Sequence, residues 1–303
     1  MAAKGRSYVS GNFSFQLDGL DCGMIQKIEG GNISAEVVSL ANSSGYWNYK
    51  HLGPIKIADF KLQMAGIQGG PVYDWIDSAL KMNHVYKNGG IYAYDFNQKC
   101  KSIREFSDAL ITEIGLPACD GGDKNPAYLS LSFAAQNVAT KPGDDSHSPG
   151  AVNMKQKGLS GGNFKLTVDK CKDACTTIAK SDALTVKMGI QRDDVGATRI
   201  MDLVPGKIDF PNLVFHVSEI EADAWYAYHE DFVVKGNCGE DAHTTAELVY
   251  YDQSFAKELV RVTMKDMGIF NLTADAEEDH KDAIKRVKIE MYMQTLEIAF
   301  PGA

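Results

Sequence analysis

The chain repeats itself at long range. Ser10-Gly11-Asn12-Phe13-Ser14-Phe15-Gln16-Leu17-Asp18 returns as Gly161-Gly162-Asn163-Phe164-Lys165-Leu166-Thr167-Val168-Asp169. From Gly11 to Gly162 the offset is 151 residues, half the chain. At the same offset Lys56-Ile57 returns as Lys207-Ile208, Leu62 as Leu213 and Met64 as Phe215, with Trp75 returning one residue off as Trp225. Tyr94-Asp95 has a counterpart in Tyr251-Asp252, and Glu113-Ile114-Gly115 in Asp266-Met267-Gly268. A period this long lies outside the solenoid range. It predicts two copies of one domain in tandem, at 8–136 and 161–303. The segment 137–160, with Pro142, Gly143, Pro149 and Gly150 among small polar residues, reads as a linker.

Each copy has room for its own core in a chain of 303 residues. Apolar content of 44% and charged content of 23% are those of a soluble globular protein. No apolar run approaches a membrane span, so no membrane insertion is expected. The start, Met1 to Ser7, lacks the apolar stretch of a secretory signal, which makes the Asn-x-Ser/Thr matches at Asn12, Asn32, Asn42 and Asn271 fortuitous. The six cysteines neither pair as Cys-x-x-Cys nor recur in register, which argues for reduced thiols rather than a shared disulfide or zinc framework. Net charge is −9 and uneven. Residues 1–140 hold 12 basic and 13 acidic side chains, residues 151–303 hold 18 and 25. No basic stripe suggests tight phosphate binding.

Both copies read as mainly β, a sandwich or barrel with a flanking helix. Phe13, Phe15 and Leu17 alternate with polar residues, as do Phe164, Leu166 and Val168. In the middle strand Ile55 and Ile57 share one parity while Phe60, Leu62 and Met64 take the other. Ile208 and Phe210, then Leu213, Phe215 and Val217, do the same. A parity switch needs an extra residue, so a bulge or sharp bend is expected in both copies. Val72, Ile76, Ala79 and Leu80 form a helical stripe, with a looser equivalent in Trp225, His229 and Phe232. A final strand from Val287 is expected to run on through Phe300.

Catalytic constellations are missing. There is no His-Glu-x-x-His, no phosphate-binding glycine loop followed by Lys and Ser/Thr, and no Gly-x-Ser-x-Gly. His216 and His229 lack a metal-type partner nearby. Glu277-Glu278-Asp279-His280-Lys281-Asp282 reads as a solvated acidic loop, because a calcium loop alternates its ligands around a turn glycine. Cys171 and Cys175 have helical spacing but no second pair. Neither an enzyme nor a cofactor or metal site is expected.

The ordered landmarks resemble the phage tail tube family. Phe13 to Gly23 is similar to its first hairpin, an aromatic-rich strand running into an Asp-Gly turn. Ile25 to Val38 resembles the next strand and the start of a long loop. Gly53-Pro54-Ile55-Lys56-Ile57, the strand to Met64 and a helix with Trp75 follow in family order. The resemblance covers most of the first copy and, more faintly, the second. It implies two tandem tail-tube-like domains and a structural role in the inner tube of a phage tail or related injection system. Most family members carry one such domain and form hexameric rings. A fused pair implies trimeric rings with six domains, located in a virion tail assembled in the host cytoplasm. The implied partners are the chain itself, sheath, baseplate and tail terminator proteins, with genomic DNA passing through without specific binding.

If each domain supplies about four strands to a common wall, six domains give roughly 24. At ~4.8 Å spacing and ~40° tilt the backbone diameter is ~48 Å, wide enough for duplex DNA. Closure would also pair every exposed strand edge. By the same resemblance the loops at about 39–51 and 191–202 supply contacts between rings or subunits, with Ser39, Asn42, Tyr46, Tyr49, Gln191, Asp193 and Asp194 as candidates. The helices would face a sheath through Tyr73, Asp74, Asp77, Lys81, Tyr226 and Glu230. An acidic lumen would keep DNA from sticking. A tandem binding module is the alternative, though no aromatic cluster or basic patch recurs in both copies. An enzyme with its site between domains is a third.

Overall fold

The computed structural model describes residues 11–41, 45–64, 70–144, 147, 158–194, 201–274 and 284–301. The first half contains β1 (Asn12–Leu17), β2 (Leu20–Ile25), β3 (Lys27–Glu29), β4 (Ile33–Leu40), β5 (Tyr49–Ile57), β6 (Phe60–Met64), α1 (Gly70–Leu80), β7 (Lys87–Tyr94), β8 (Cys100–Leu116), β9 (Cys119–Asp120), β10 (Pro126–Ala127) and β11 (Leu129–Pro142). The second contains β12 (Leu159–Ser160), β13 (Phe164–Val168), β14 (Ile178–Ser181), β15 (Leu184–Asp194), β16 (Met201–Asp209), β17 (Leu213–Ser218), α2 (Asp223–His229), β18 (Thr244–Tyr251), β19 (Glu258–Ala274), β20 (Arg286–Tyr292) and β21 (Thr295–Ala299). The chain is mostly β, as its alternation predicts.

The two halves share one topology. In the first sheet the order is β2-β1-β7-β8-β11-β6-β3; in the second it is β13-β18-β19-β20-β17-β14-β9. From β1 and β13 as far as β3 and β14, each strand has a counterpart in the same place, and β9 lies beyond β14 with no equivalent beside β3. β2 also lacks a counterpart; two short 3-10 turns, Asp169–Cys171 and Asp173–Thr177, stand in its position along the chain.

Irregularities repeat with the strands. Between β7 and β8, Lys87 faces Ala109 and Gly89 faces Phe106. Between β18 and β19, Thr244 faces Met267 and Ala246 faces Met264. In each bulge an aspartate, Asp108 or Asp266, sits at positive φ, 51° and 52°. Aspartate is among the few side chains that tolerate this conformation. The turns after β7 and β18 also match. Asp95 accepts backbone N–H bonds from Asn97 and Lys99, and Asp252 from Ser254, Ala256 and Lys257. Lys99's amide bond to Asp95 and the Ser254 hydroxyl bond to Asp252 lead the effects holding each carboxyl below its ordinary value.

These matches correct the sequence alignment beyond the first strand. Bulges between β4 and β5 and between β15 and β16 superimpose Ile55 on Ile208, an offset of 153. Lys56-Ile57 therefore corresponds to Asp209-Phe210, not Lys207-Ile208. Asp266 corresponds to Asp108, an offset of 158, so Glu113-Ile114-Gly115 corresponds to Asn271-Leu272-Thr273 rather than Asp266-Met267-Gly268.

The same correspondence relates the cores. Phe15, Phe60, Phe106 and Phe133 pack on one another in the first half in stacked and tilted pairs, with Trp75 against Phe133. Their places in the second half are taken by Leu166, Leu213, Met264 and Met291, all buried. Each aromatic pair adds ~0.5–1.5 kcal/mol beyond its buried area. The core does not divide at the linker: residues of both halves form one continuous buried cluster.

The parity switch is a sharp break between β5 and β6 at Ala58-Asp59, and between β16 and β17 at 210–212. Two other expectations are corrected. Asn137 to Pro142, read as linker, continue β11 and pair with Ser107 to Ser102 of β8. Pro142 is tolerated because it ends the strand. The long final strand is interrupted at Met293-Gln294, opposite the bulge at Asp266. Beyond it β21 keeps the register, with Thr295 facing Lys265.

A candidate assembly interface

The long segment after β3 is not a loop. Its two flanks pair as the hairpin β4–β5, and the corresponding segment as β15–β16. Ser39 lies on β4 opposite Lys50, and Tyr49 on β5 opposite Leu40; both are exposed. Tyr46 is fully exposed, and Asn42 lies outside the described residues. Gln191, Asp193 and Asp194 end β15, facing Val204, Asp202 and Met201. The structure thus collects these candidates on two hairpins, one per half.

The hairpins differ in what they touch. β15 extends the sheet of the first half, with Leu184, Thr185, Val186 and Lys187 facing Leu116, Gly115, Ile114 and Glu113 of β8. Val186 and Ile114 are buried there. Leu203 of β16 is buried with Leu110 and Ala134, and Ile190 packs on them. Polar contacts fix the seat: the Tyr86 hydroxyl donates to the Leu203 carbonyl at 2.6 Å, Gln136 donates to Asp202 at 3.2 Å, and Arg192 pairs with Asp59. A second seam joins β14 to β9, Lys180 facing Asp120 and Ser181 facing Cys119. Tyr250 donates to the Pro117 carbonyl at 2.8 Å. Sequence reasoning missed this seam, because pairing between residues ~70 positions apart leaves no local pattern.

Among the described residues the hairpin β4–β5 has no such seat. It forms a two-stranded sheet of its own. Ile33, Val37, Val38, Leu40, Tyr49 and Leu52 are all exposed large apolar residues, with Tyr46 and Trp47 at the tip. Val37 and Leu52 share one face of the ribbon and Val38, Leu40 and Tyr49 the other, so both faces offer apolar surface to a partner. Between the two hairpins lies a cleft of about 810 Å³, lined by Ile33, Ile55, Ile57, Met201, Leu203 and Arg192.

The helices contribute less. Asp74, Tyr226 and Glu230 are exposed, and Asp77 pairs with Lys81 at 2.7 Å. Tyr73 departs from its expected outward position: it is buried and stacks on Phe300 of the second half at 3.7 Å. Its place on α1 beside Val72 and Ile76 puts it on the inward stripe. The acidic segment Glu277 to Asp282 lies outside the described residues. Burial pushes the thiols of Cys22 and Cys119 up to about 12 and that of Cys171 to about 11, which leaves them unreactive. Among the described residues no cluster of His, Cys, Asp or Glu has metal-site geometry, and no helix is long and apolar enough to cross a membrane.

No family model matches the chain, and no curated protein matches it. Among solved structures it is similar to a chain of an extracellular contractile injection system, the PVC sheath-tube complex in its extended state, at 19% identity and a TM-score of 0.39. That match covers 46% of this chain and 93% of the other. A chain of the anti-feeding prophage baseplate is similar at 16% identity and a TM-score of 0.40, over 46% and 97%. A chain of the anti-feeding prophage tube-terminating cap is similar at 19% and 0.42, over 47% and 95%. Each time, about half of this chain matches nearly all of its neighbour.

Proposed function

We propose that the chain is a structural subunit of a tail tube, with two tube-like domains, the first running from 8 through the end of β11 at 142 and the second over 161–303. Chains join head to tail into hollow rings, and rings stack into a conduit. The observation that carries this reading is the seam between the halves. The chain holds one completed strand junction between two like units, and it leaves the corresponding hairpin and the corresponding strand end uncovered. Units that join by unlike surfaces build rings or filaments rather than closed pairs. Two units per chain give sixfold-like rings from three chains. The apolar hairpin β4–β5 and the exposed tip at Tyr46 and Trp47 supply surfaces for a neighbouring chain or ring. The sequence resemblance to tail tube proteins supports a place in a phage tail, with genomic DNA as cargo and sheath, baseplate and terminator as outer partners; the inner tube of a contractile injection system is the alternative.

Negative-stain electron microscopy of the concentrated chain, with end-on class averages, tests this. Hollow rings with six lobes and threefold symmetry are expected. Compact monomers at every concentration and salt would overturn it.

A further inference from the structure

The completed seam specifies which residues meet in the open one. We propose that β4 of one chain pairs antiparallel with the end of β19 in a second copy, Asn32 facing Thr273, Ile33 facing Leu272 and Ser34 facing Asn271. The proposal rests on the ring-forming reading and deepens it to a register.

The register follows from two offsets. Residues 27–64 map onto the second half by 153: Lys27 and Lys180 hold equivalent positions opposite Gln63 and His216, and the hairpin bulges coincide. Residues 100–142 map by 158. Leu129 faces Met64 as Val287 faces Val217, and Phe133 faces Phe60 as Met291 faces Leu213. Carried through these offsets, the observed pairs Thr185–Gly115, Val186–Ile114 and Lys187–Glu113 become the three proposed pairs.

Burial locates the missing strand independently. From Asp108 to Glu113 every residue of β8 has the burial of its counterpart in β19, save the bulged Thr112, which is half-buried where Phe270 is exposed. At Ile114 the two strands part. Ile114, Gly115 and Leu116 are buried, whereas Leu272 is half-buried and Thr273 and Ala274 are exposed. That is the stretch over which β15 lies on β8. The other side of the seam shows the same divergence: Val186 is 0% exposed and Ile33 is 55% exposed. Among the described residues, the free side of β19 at 271–274 and the outer edge of β4 carry no strand. β3 likewise ends its sheet, while its counterpart β14 is covered by β9.

The chemistry of the open pairs suits a copy of this chain. Ile33 meets Leu272, apolar on apolar, as Val186 meets Ile114. Ser34 meets Asn271, two neutral hydrogen-bonding groups, where the completed seam sets Lys187 opposite Glu113. No like charges are brought together, and the register keeps the apolar residues of both strands on one face.

Cysteine cross-linking tests the register. In a Cys238→Ser background, which removes the exposed native thiol, the double variant Ile33→Cys/Leu272→Cys is assembled and oxidised. Ser34→Cys/Asn271→Cys serves as a second in-register pair and Ile33→Cys/Phe270→Cys as a shifted control. The in-register pairs should yield chain-to-chain disulfides at least about tenfold over the control on a non-reducing gel, ending at the closed-ring size. Rings seen by microscopy without these cross-links, or with the shifted pair favoured, would overturn the register and leave the tube reading standing. Absence of both rings and cross-links would overturn the two together.

Discussion

Val186 and Ile33 occupy the same place in two copies of one topology, yet one is buried and the other stands in solvent. Across the seam Ile114 is buried while Leu272 is only half-buried. Local sequence does not account for the difference, since all four are large and apolar. What differs is the neighbour. The first half has a hairpin from the second half lying on it, and among the described residues the second half has none. The comparison teaches that this chain is a unit with one junction made and one left open. On the proposed assembly, the exposure of Ile33 belongs to the open junction rather than to an imperfect core.

Substitution at the paired positions would break the comparison most sharply. Val186→Asp places an unpaired charge in a sealed interior and should destabilise the chain by about 4 kcal/mol or more. Ile33→Asp should leave the melting transition of the dilute chain within about 0.5 kcal/mol of the parent and abolish rings. Thermal unfolding and sedimentation of both variants read the contrast. Equal destabilisation would mean that Ile33 already has a partner within its own chain. A smaller effect sharpens the equivalence of the halves. Asp108→Ala and Asp266→Ala both place a β-carbon without a compensating polar group at positive φ, and each should cost about 1–2 kcal/mol by urea denaturation. Unequal losses would show that the two bulges are not the same device.

Much of the fold was legible because alternation is local. Phe13 to Leu17, Phe60 to Met64, Leu213 to Val217 and Val287 to Met291 declared their strands by period, and the parity switch at Ala58-Asp59 declared the break between β5 and β6. The repeat itself was visible from the Gly-Asn-Phe segment. Its later register was not. Two turns replace β2 after β13, and that insertion moves the landmarks as far as β6 by two residues, enough to preserve parity and conceal the error; the offset then grows to 157 at β7 and 158 at β8. The match of Glu113-Ile114-Gly115 to Asp266-Met267-Gly268 was a coincidence of residue type; the conformations of Asp108 and Asp266 reveal the true pair. The hairpins read as loops because β4 carries Ser34, Glu36 and Ser39 on a surface that is exposed in the single chain, and exposed strands lose the apolar alternation that marks buried ones. The interface candidates on 39–49 and 191–194 fall on the two hairpins, apart from Asn42, which lies outside the described residues. Their partners on β8 did not show, because strand pairing between distant segments is decided by tertiary contact.

Hydrogen exchange of the dilute and assembled chain tests the central claim most directly. The account predicts that amides at 113–116 are protected in both states. Within 32–34 and 271–274, the amides that point away from β5 and β20 should exchange freely in the dilute chain and become protected to a similar degree on assembly. Rings in which those outward amides still exchange freely would contradict it.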